Sequence, residues 1–99
     1  MYTVLQTDEF ASWHSNLCST RAKVAIARRI DRAAAGNLGD LKSIGGSISE
    51  MRLDIESGYR IYLTFRNGTL IILLAGGNKA SQSRDIRRAQ TLVKRLEHE

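Results

Sequence analysis

Between Glu50 and Ala75 polar and apolar residues largely alternate with a period of two, broken at Glu56-Ser57-Gly58 and at Asn67-Gly68. A helix would scatter such a pattern around its surface, so the segment predicts three consecutive strands joined as a meander. Asn67 and Gly68 both tolerate positive φ, and a two-residue turn built on them matches the twist of a hairpin. Such a turn sets Arg60, Tyr62 and Thr64 opposite Ala75, Leu73 and Ile71. Upstream, Met51, Leu53 and Ile55 must share a face with Ile61, Leu63 and Phe65. The loop Glu56-Ser57-Gly58 keeps that match by pairing Leu53 with Ile61 and Arg52 with Tyr62. One face, completed by Tyr59, Leu70, Ile72 and Leu74, is then apolar. The other is expected to be polar and cationic, with Glu50, Arg52, Asp54, Arg60, Tyr62 and Thr64 above a floor of Ile71 and Leu73.

The flanking segments supply what covers the apolar face. Tyr2 to Gln6 is β-prone, and Thr7-Asp8 offers an N-cap to a short helix with the stripe Phe10, Trp13 and Leu17, ending near Cys18. From Arg21 a second helix repeats Ala22, Ile26, Ile30 and Ala33, with Arg21, Arg28 and Arg32 together on another face. Gly36-Asn37 marks its stop, and a loop containing Gly39, Gly45 and Gly46 follows. A last helix from Ser83 to Leu96 carries Ile86, Ala89, Val93 and Leu96, with Asp85 in its first turn and Lys94 and Arg95 in its last, as the helix dipole favours. The expectation is a single α+β domain over residues 1–99, ordered β-α-α-β-β-β-α, its mainly antiparallel sheet packed against helices on one face.

Charge narrows the function. The net charge is +5, and the basic residues concentrate in 21–42 and 79–99, which hold six each against two and three acidic ones. That excess favours a polyanionic partner such as nucleic acid or an acidic protein, although a solvated helix face accounts for either cluster taken alone. Met1 to Thr20 lacks Lys and Arg and carries Asp8 and Glu9, unlike a secretory signal, so a cytoplasmic protein is expected. The longest apolar run, Leu70 to Ala75, is far short of a membrane span. With Cys18 the only cysteine and His14 and His98 the only histidines, neither a disulfide nor a metal site is expected, and no cofactor is implied.

Candidate chemistry gathers on the polar strand face. Arg52 and Arg60 project from neighbouring strands near Gly76-Gly77-Asn78-Lys79, where the third strand is expected to end. Two guanidinium groups can grip a phosphate and stabilise the added charge of a pentacovalent transition state. The alternative is structural, with Arg60 paired to Asp54 and Arg52 to Glu50 or Asp54. Tyr62 can stack on a base or pack across strands. Tyr59 points to the core side, Gly76-Gly77 reads as loop geometry, and His14 as a helix-surface residue. No GxSxG segment is present and His98 sits beside the terminus, which argues against a hydrolytic triad.

The segments Arg28-Arg29-Ile30, Gly36-Asn37-Leu38-Gly39-Asp40-Leu41-Lys42, Ser49-Glu50-Met51-Arg52, Gly58-Tyr59-Arg60-Ile61-Tyr62, Leu73-Leu74-Ala75-Gly76-Gly77-Asn78-Lys79, and Gln82 with Asp85-Ile86, follow one another in an order that resembles the RelE/HigB superfamily. Within it the resemblance is specifically to the HigB-like addiction-module killer proteins. The resemblance implies the toxin of a type II toxin–antitoxin pair, a ribosome-dependent and metal-independent endoribonuclease that cuts messenger RNA. In this chemistry the 2′-hydroxyl attacks the adjacent phosphate and leaves a 2′,3′-cyclic phosphate. By position, Arg52, Arg60 and Lys79 look like the catalytic cations, and Lys42, Tyr62 and Arg84 like nucleic-acid contacts. The general acid and base stay unassigned. A helix-turn-helix antitoxin is the implied partner, with operator DNA reached indirectly through that complex and no membrane involved. A non-catalytic module of the same fold, binding RNA, the ribosome or a protein, is the alternative.

Overall fold

The structure is a computed structural model describing residues 1–98; Glu99, the last residue of the expected domain, lies outside the described residues. The chain runs β1 (Thr3–Gln6), α1 (Asp8–Ser15), α2 (Thr20–Ala34), β2 (Leu41–Gly45), β3 (Ile48–Leu53), β4 (Tyr59–Arg66), β5 (Leu70–Asn78) and α3 (Gln82–Glu97). All strands join one sheet ordered β1-β5-β4-β3-β2, antiparallel except for the parallel β1–β5 pair. The α+β class and mainly antiparallel sheet are as expected. The additional element is β2, which pairs with β3 through a hairpin turning at Gly45, Gly46 and Ser47, all at positive φ.

Helix ends follow local chemistry. The Thr7 hydroxyl accepts from Phe10 N at 3.1 Å and shares its own proton between Leu73 O at 2.9 Å and Leu74 O at 3.0 Å. One side chain thus caps α1 and ties it to β5. Replacing Thr7 with alanine is expected to cost about 1–2 kcal/mol in urea denaturation; a loss below a few tenths would mean the cap is dispensable. Ser19 caps α2, accepting from Ala22 N at 3.1 Å. At the other end of α2, Gly36 takes φ 103° while its N–H and that of Asn37 donate to Ala33 O and Arg32 O, a Schellman-type closure.

Two corrections concern the faces of the sheet. The loop before β4 is Asp54–Gly58, so Leu53 pairs with Tyr59, Arg52 with Arg60 and Met51 with Ile61. This shift of two residues leaves every side chain on its expected side. The β4–β5 turn is Asn67-Gly68-Thr69, setting Phe65 opposite Ile71 and Leu63 opposite Leu73, and a bulge near Leu74 brings Ala75 opposite Tyr62. A shift of one reverses β5. Ile71 and Leu73 join Phe10, Ile26, Ile30, Met51, Ile61 and Leu63 under α1 and α2, while Ile72 and Leu74 go to the opposite face.

That opposite face is closed as well. Ala89 and Val93 of α3 pack on Ile48, Tyr62, Ile72 and Leu74, so helices cover both sides of the sheet rather than one. Glu50 and Thr64, expected in solvent, are buried. What stays open is the end of the sheet where β3 finishes, β4 begins and β5 finishes.

Candidate functional site

At that open end a cleft of about 300 Å3 is lined by Arg52, Arg60 and Lys79, with Asp40, Asp54 and Tyr59 among the other walls. Period-two geometry places the arginines: Arg52 and Arg60 are direct cross-strand partners on one face. Lys79, exposed, follows immediately after Asn78, the end of β5. Gly76 and Gly77 belong to β5 itself and are demanded by packing. A Cβ built on Gly76 would strike the Trp13 ring, and one on Gly77 would strike Asp85 Oδ2.

Beneath the arginines lies Glu50, whose side chain is 1% exposed. Its Oε1 accepts from Arg52 Nε at 3.1 Å and its Oε2 from Gln82 Nε2 at 2.9 Å, while Arg60 Nε stands 3.6 Å from Oε2, an ion-pair distance beyond a good hydrogen bond. Burial alone would raise the Glu50 pKa, but donation from Gln82 and Arg52 and the charge of Arg60 outweigh it and hold the carboxyl below its ordinary value. Glu50 therefore stays ionised, holds Arg52 by a hydrogen bond from Nε, and faces the buried Arg60 Nε as an ion-pair partner, with no hydrogen bond between them. Asp54 is not the partner of Arg60; Glu50 is.

The strand that carries Arg52 is clasped from α2. Arg29 donates from Nη1 to Arg52 O at 3.0 Å and from Nη2 to Leu38 O at 3.3 Å and Asp40 O at 3.4 Å. Its guanidinium occupies the space a Cβ on Gly39 would need. This anchors the loop before β2, including Asp40, against the cleft.

The other expected contacts disperse. Tyr62 is 0% exposed beneath α3, so it cannot stack on a base. Burial, then the neighbouring Glu50 charge, raises its pKa and keeps it neutral, and its hydroxyl lies beside Glu50 without hydrogen-bond geometry. Lys42 pairs in register with Glu50 on the edge strand and is exposed, outside the cleft wall. Arg84, 77% exposed, lines an adjacent cleft rather than this one. His14 is more than a surface residue: its Nε2 lies 2.9 Å from Lys23 O, linking α1 to α2.

Glu50 was legible only as a possible salt-bridge partner, two residues from Arg52 on the same face. Gln82 and Arg29 carry no local signal, since both act across the fold. Among the described residues no group of three or more His, Cys, Asp or Glu side chains is arranged to hold a metal ion, and no helix is long and apolar enough to cross a membrane.

No family model matches the chain. A Haemophilus influenzae protein described as an uncharacterized protein is 48% identical over 87 residues, covering 88% of each. Among solved structures, a mutant of the E. coli toxin RelE in the free state matches with a TM-score of 0.66 at 15% identity, over 88% of this chain and 96% of that one. The fold is RelE-like.

Proposed function

The chain belongs to the same family as the Haemophilus influenzae protein and has the RelE-like fold, and on that footing we propose that residues 1–99 form one HigB-like toxin domain that cleaves messenger RNA. The observation that carries this reading is the convergence of Arg52, Arg60 and Lys79 on one cleft at the open end of the sheet. In the proposed reaction a ribose 2′-hydroxyl gives up its proton to solvent water and attacks the adjacent phosphorus. The bond to the 5′-oxygen breaks, that oxygen takes a proton, and a 2′,3′-cyclic phosphate remains. Arg52 and Arg60 hold the non-bridging oxygens with their Nη forks and neutralise the charge that grows on them, a contribution strongest where it is preorganised. Lys79, on the exposed rim, faces the leaving oxygen as its proton source. The proposed setting is cytoplasmic, on translating ribosomes, with a helix-turn-helix antitoxin as inhibitor and operator DNA met through that complex.

One observation favours a second reading. Two guanidinium groups share one carboxylate, and Asp40 and Asp54 add further negative charge, so the cleft is less cationic than its arginines suggest. A module that binds RNA, the ribosome or a protein without cutting fits that balance. Induced expression with mapping of cellular 5′ ends separates the two. Growth arrest with new cuts inside translated frames, relieved by co-expressing the adjacent open reading frame, is expected; normal growth with unchanged message ends overturns the ribonuclease.

A further inference from the structure

Beside the cationic cleft lies a second one of about 400 Å3, and the two share a wall at Tyr59. Its walls combine the rings of Trp13 and Tyr59 and the side chain of Leu17 with the charged groups Glu9, Arg84 and Asp85. Trp13 and Tyr59 meet edge to face, their centroids 6.3 Å apart at 62°. Gly76 and Gly77 let the cleft walls close in: the Trp13 ring lies directly on Gly76, and Asp85 and Ser81 lie on Gly77. Asp85 closes one edge: its Oδ2 takes the Ser81 hydroxyl at 2.5 Å, whereas Oδ1 has only Arg84 Nε at 3.8 Å, beyond hydrogen-bond range. On the outer side Glu9 is tied to Arg88 Nε at 2.6 Å, which fixes α1 against α3 across the mouth.

We propose that this second cleft is a nucleobase subsite, holding the base attached to the phosphate gripped by Arg52 and Arg60. The inference rests on the reading of the cationic cleft as an RNA phosphate site. A planar base laid on one of the two rings meets the edge of the other, the arrangement aromatic groups prefer. Trp13 and Tyr59 also pack on the core, and that role alone would explain apolar rings here. It does not explain why they line a polar-rimmed cleft continuous with a set of cations. A nucleotide is the ligand class that needs both halves at once: anion grip on one side of Tyr59, and on the other an aromatic wall with polar groups at its rim. Asp85 Oδ1, paired only loosely with Arg84, accepts hydrogen bonds and donates none, so a base with a donor-rich edge, such as guanine with N1–H and its amine, fits better than uracil with N3–H alone. Because the base is read by stacking and one carboxylate edge, the subsite would give the nuclease a preference at one position beside the cut.

Trp13 is the only tryptophan in the chain, so its emission reports on this cleft directly. The wild-type protein is titrated with a short RNA whose attacking 2′-hydroxyl is replaced by hydrogen, carrying guanine, uracil or no base at the neighbouring position. The guanine probe is expected to quench Trp13 and to bind on the order of tenfold more tightly than the abasic one, with uracil weaker than guanine. Equal binding of guanine and abasic probes, or guanine binding that leaves Trp13 emission unchanged, overturns the subsite. Equal affinity for guanine and uracil overturns the role of Asp85. A Trp13→Leu variant, checked for its fold by circular dichroism, should lose the guanine advantage while still binding the abasic probe. Cleavage of unmodified RNA is scored separately: cutting without base preference removes this inference alone, and base-dependent binding without cutting removes the ribonuclease alone.

Discussion

Replacing Arg60 with alanine is expected to lower single-turnover RNA cleavage by about a hundredfold or more, the scale on which removing one preorganised charge-stabilising donor slows related reactions. The side chain is 15% exposed and lies 3.6 Å from the buried Glu50 carboxylate, so packing and charge limit its freedom before the reaction. Arg60→Lys should recover only part of the rate, because an ammonium cannot present a fork to two phosphate oxygens. The loss should not be one of folding. With Arg60 gone, Glu50 keeps its bonds from Gln82 and Arg52. Denaturation midpoints measured beside the rates decide the matter: cleavage within a few-fold of wild type removes Arg60 from the chemistry, and a rate loss matched by unfolding assigns it to structure.

The pair of arginines was legible because of a parity argument. Arg52 and Arg60 must lie on one face for any loop that keeps Met51 and Leu53 beside Ile61, and the longer Asp54–Gly58 loop displaces the register by two without disturbing this. The same reasoning failed on β5. An Asn-Gly pair signals a hairpin, but it does not distinguish a two-residue turn from one that also takes in Thr69, and that single residue sends Ile71 and Leu73 to the other side. Because β5 is apolar at every position from Leu70 to Ala75, its sequence offers no polar face against which to check the register. The edge strand β2 was hidden for a different reason. Its exposed Lys42, Ser43 and Gly45 show little alternation, and it becomes a strand by pairing with β3.

The burial of Tyr62 and Glu50 follows from the placement of α3. Its stripe was readable, yet an amphipathic helix at the end of a chain can pack on either face of a sheet, and only the folded arrangement selects one. Once α3 lies over the arginine face, Gln82 reaches Glu50 and Asp85 reaches Gly77. The residues that organise the cleft are therefore scattered through the chain, while its two arginines sit where a period of two put them.

Glu50 joins these two sets, and its replacement by glutamine is expected to cost about 3 kcal/mol in stability at neutral pH. Glutamine fills the same space but brings no charge, and it turns an amide donor toward groups that already donate. The cost belongs at the lower end for a broken buried pair because Arg52, 44% exposed, can turn to water; Arg60, 15% exposed, has less freedom to do so. Acidity supplies an independent check. The folded carboxyl titrates below its ordinary value, so its contribution is complete above that ordinary value, near 4.5, and fades as the pH falls through the folded one. Protonated Glu50 resembles glutamine in charge, so the stability gap between wild type and Glu50→Gln should narrow on acidification below about pH 4. Urea denaturation of both proteins from neutral pH downward measures that gap. A gap under about 1 kcal/mol at neutral pH, or one that does not close in acid, would mean that Glu50 does not clamp the arginines. If the gap closes as expected, the clamp and the catalytic role of Arg60 become separable, because Glu50→Gln should displace the guanidinium without removing it and so depress cleavage less than Arg60→Ala does.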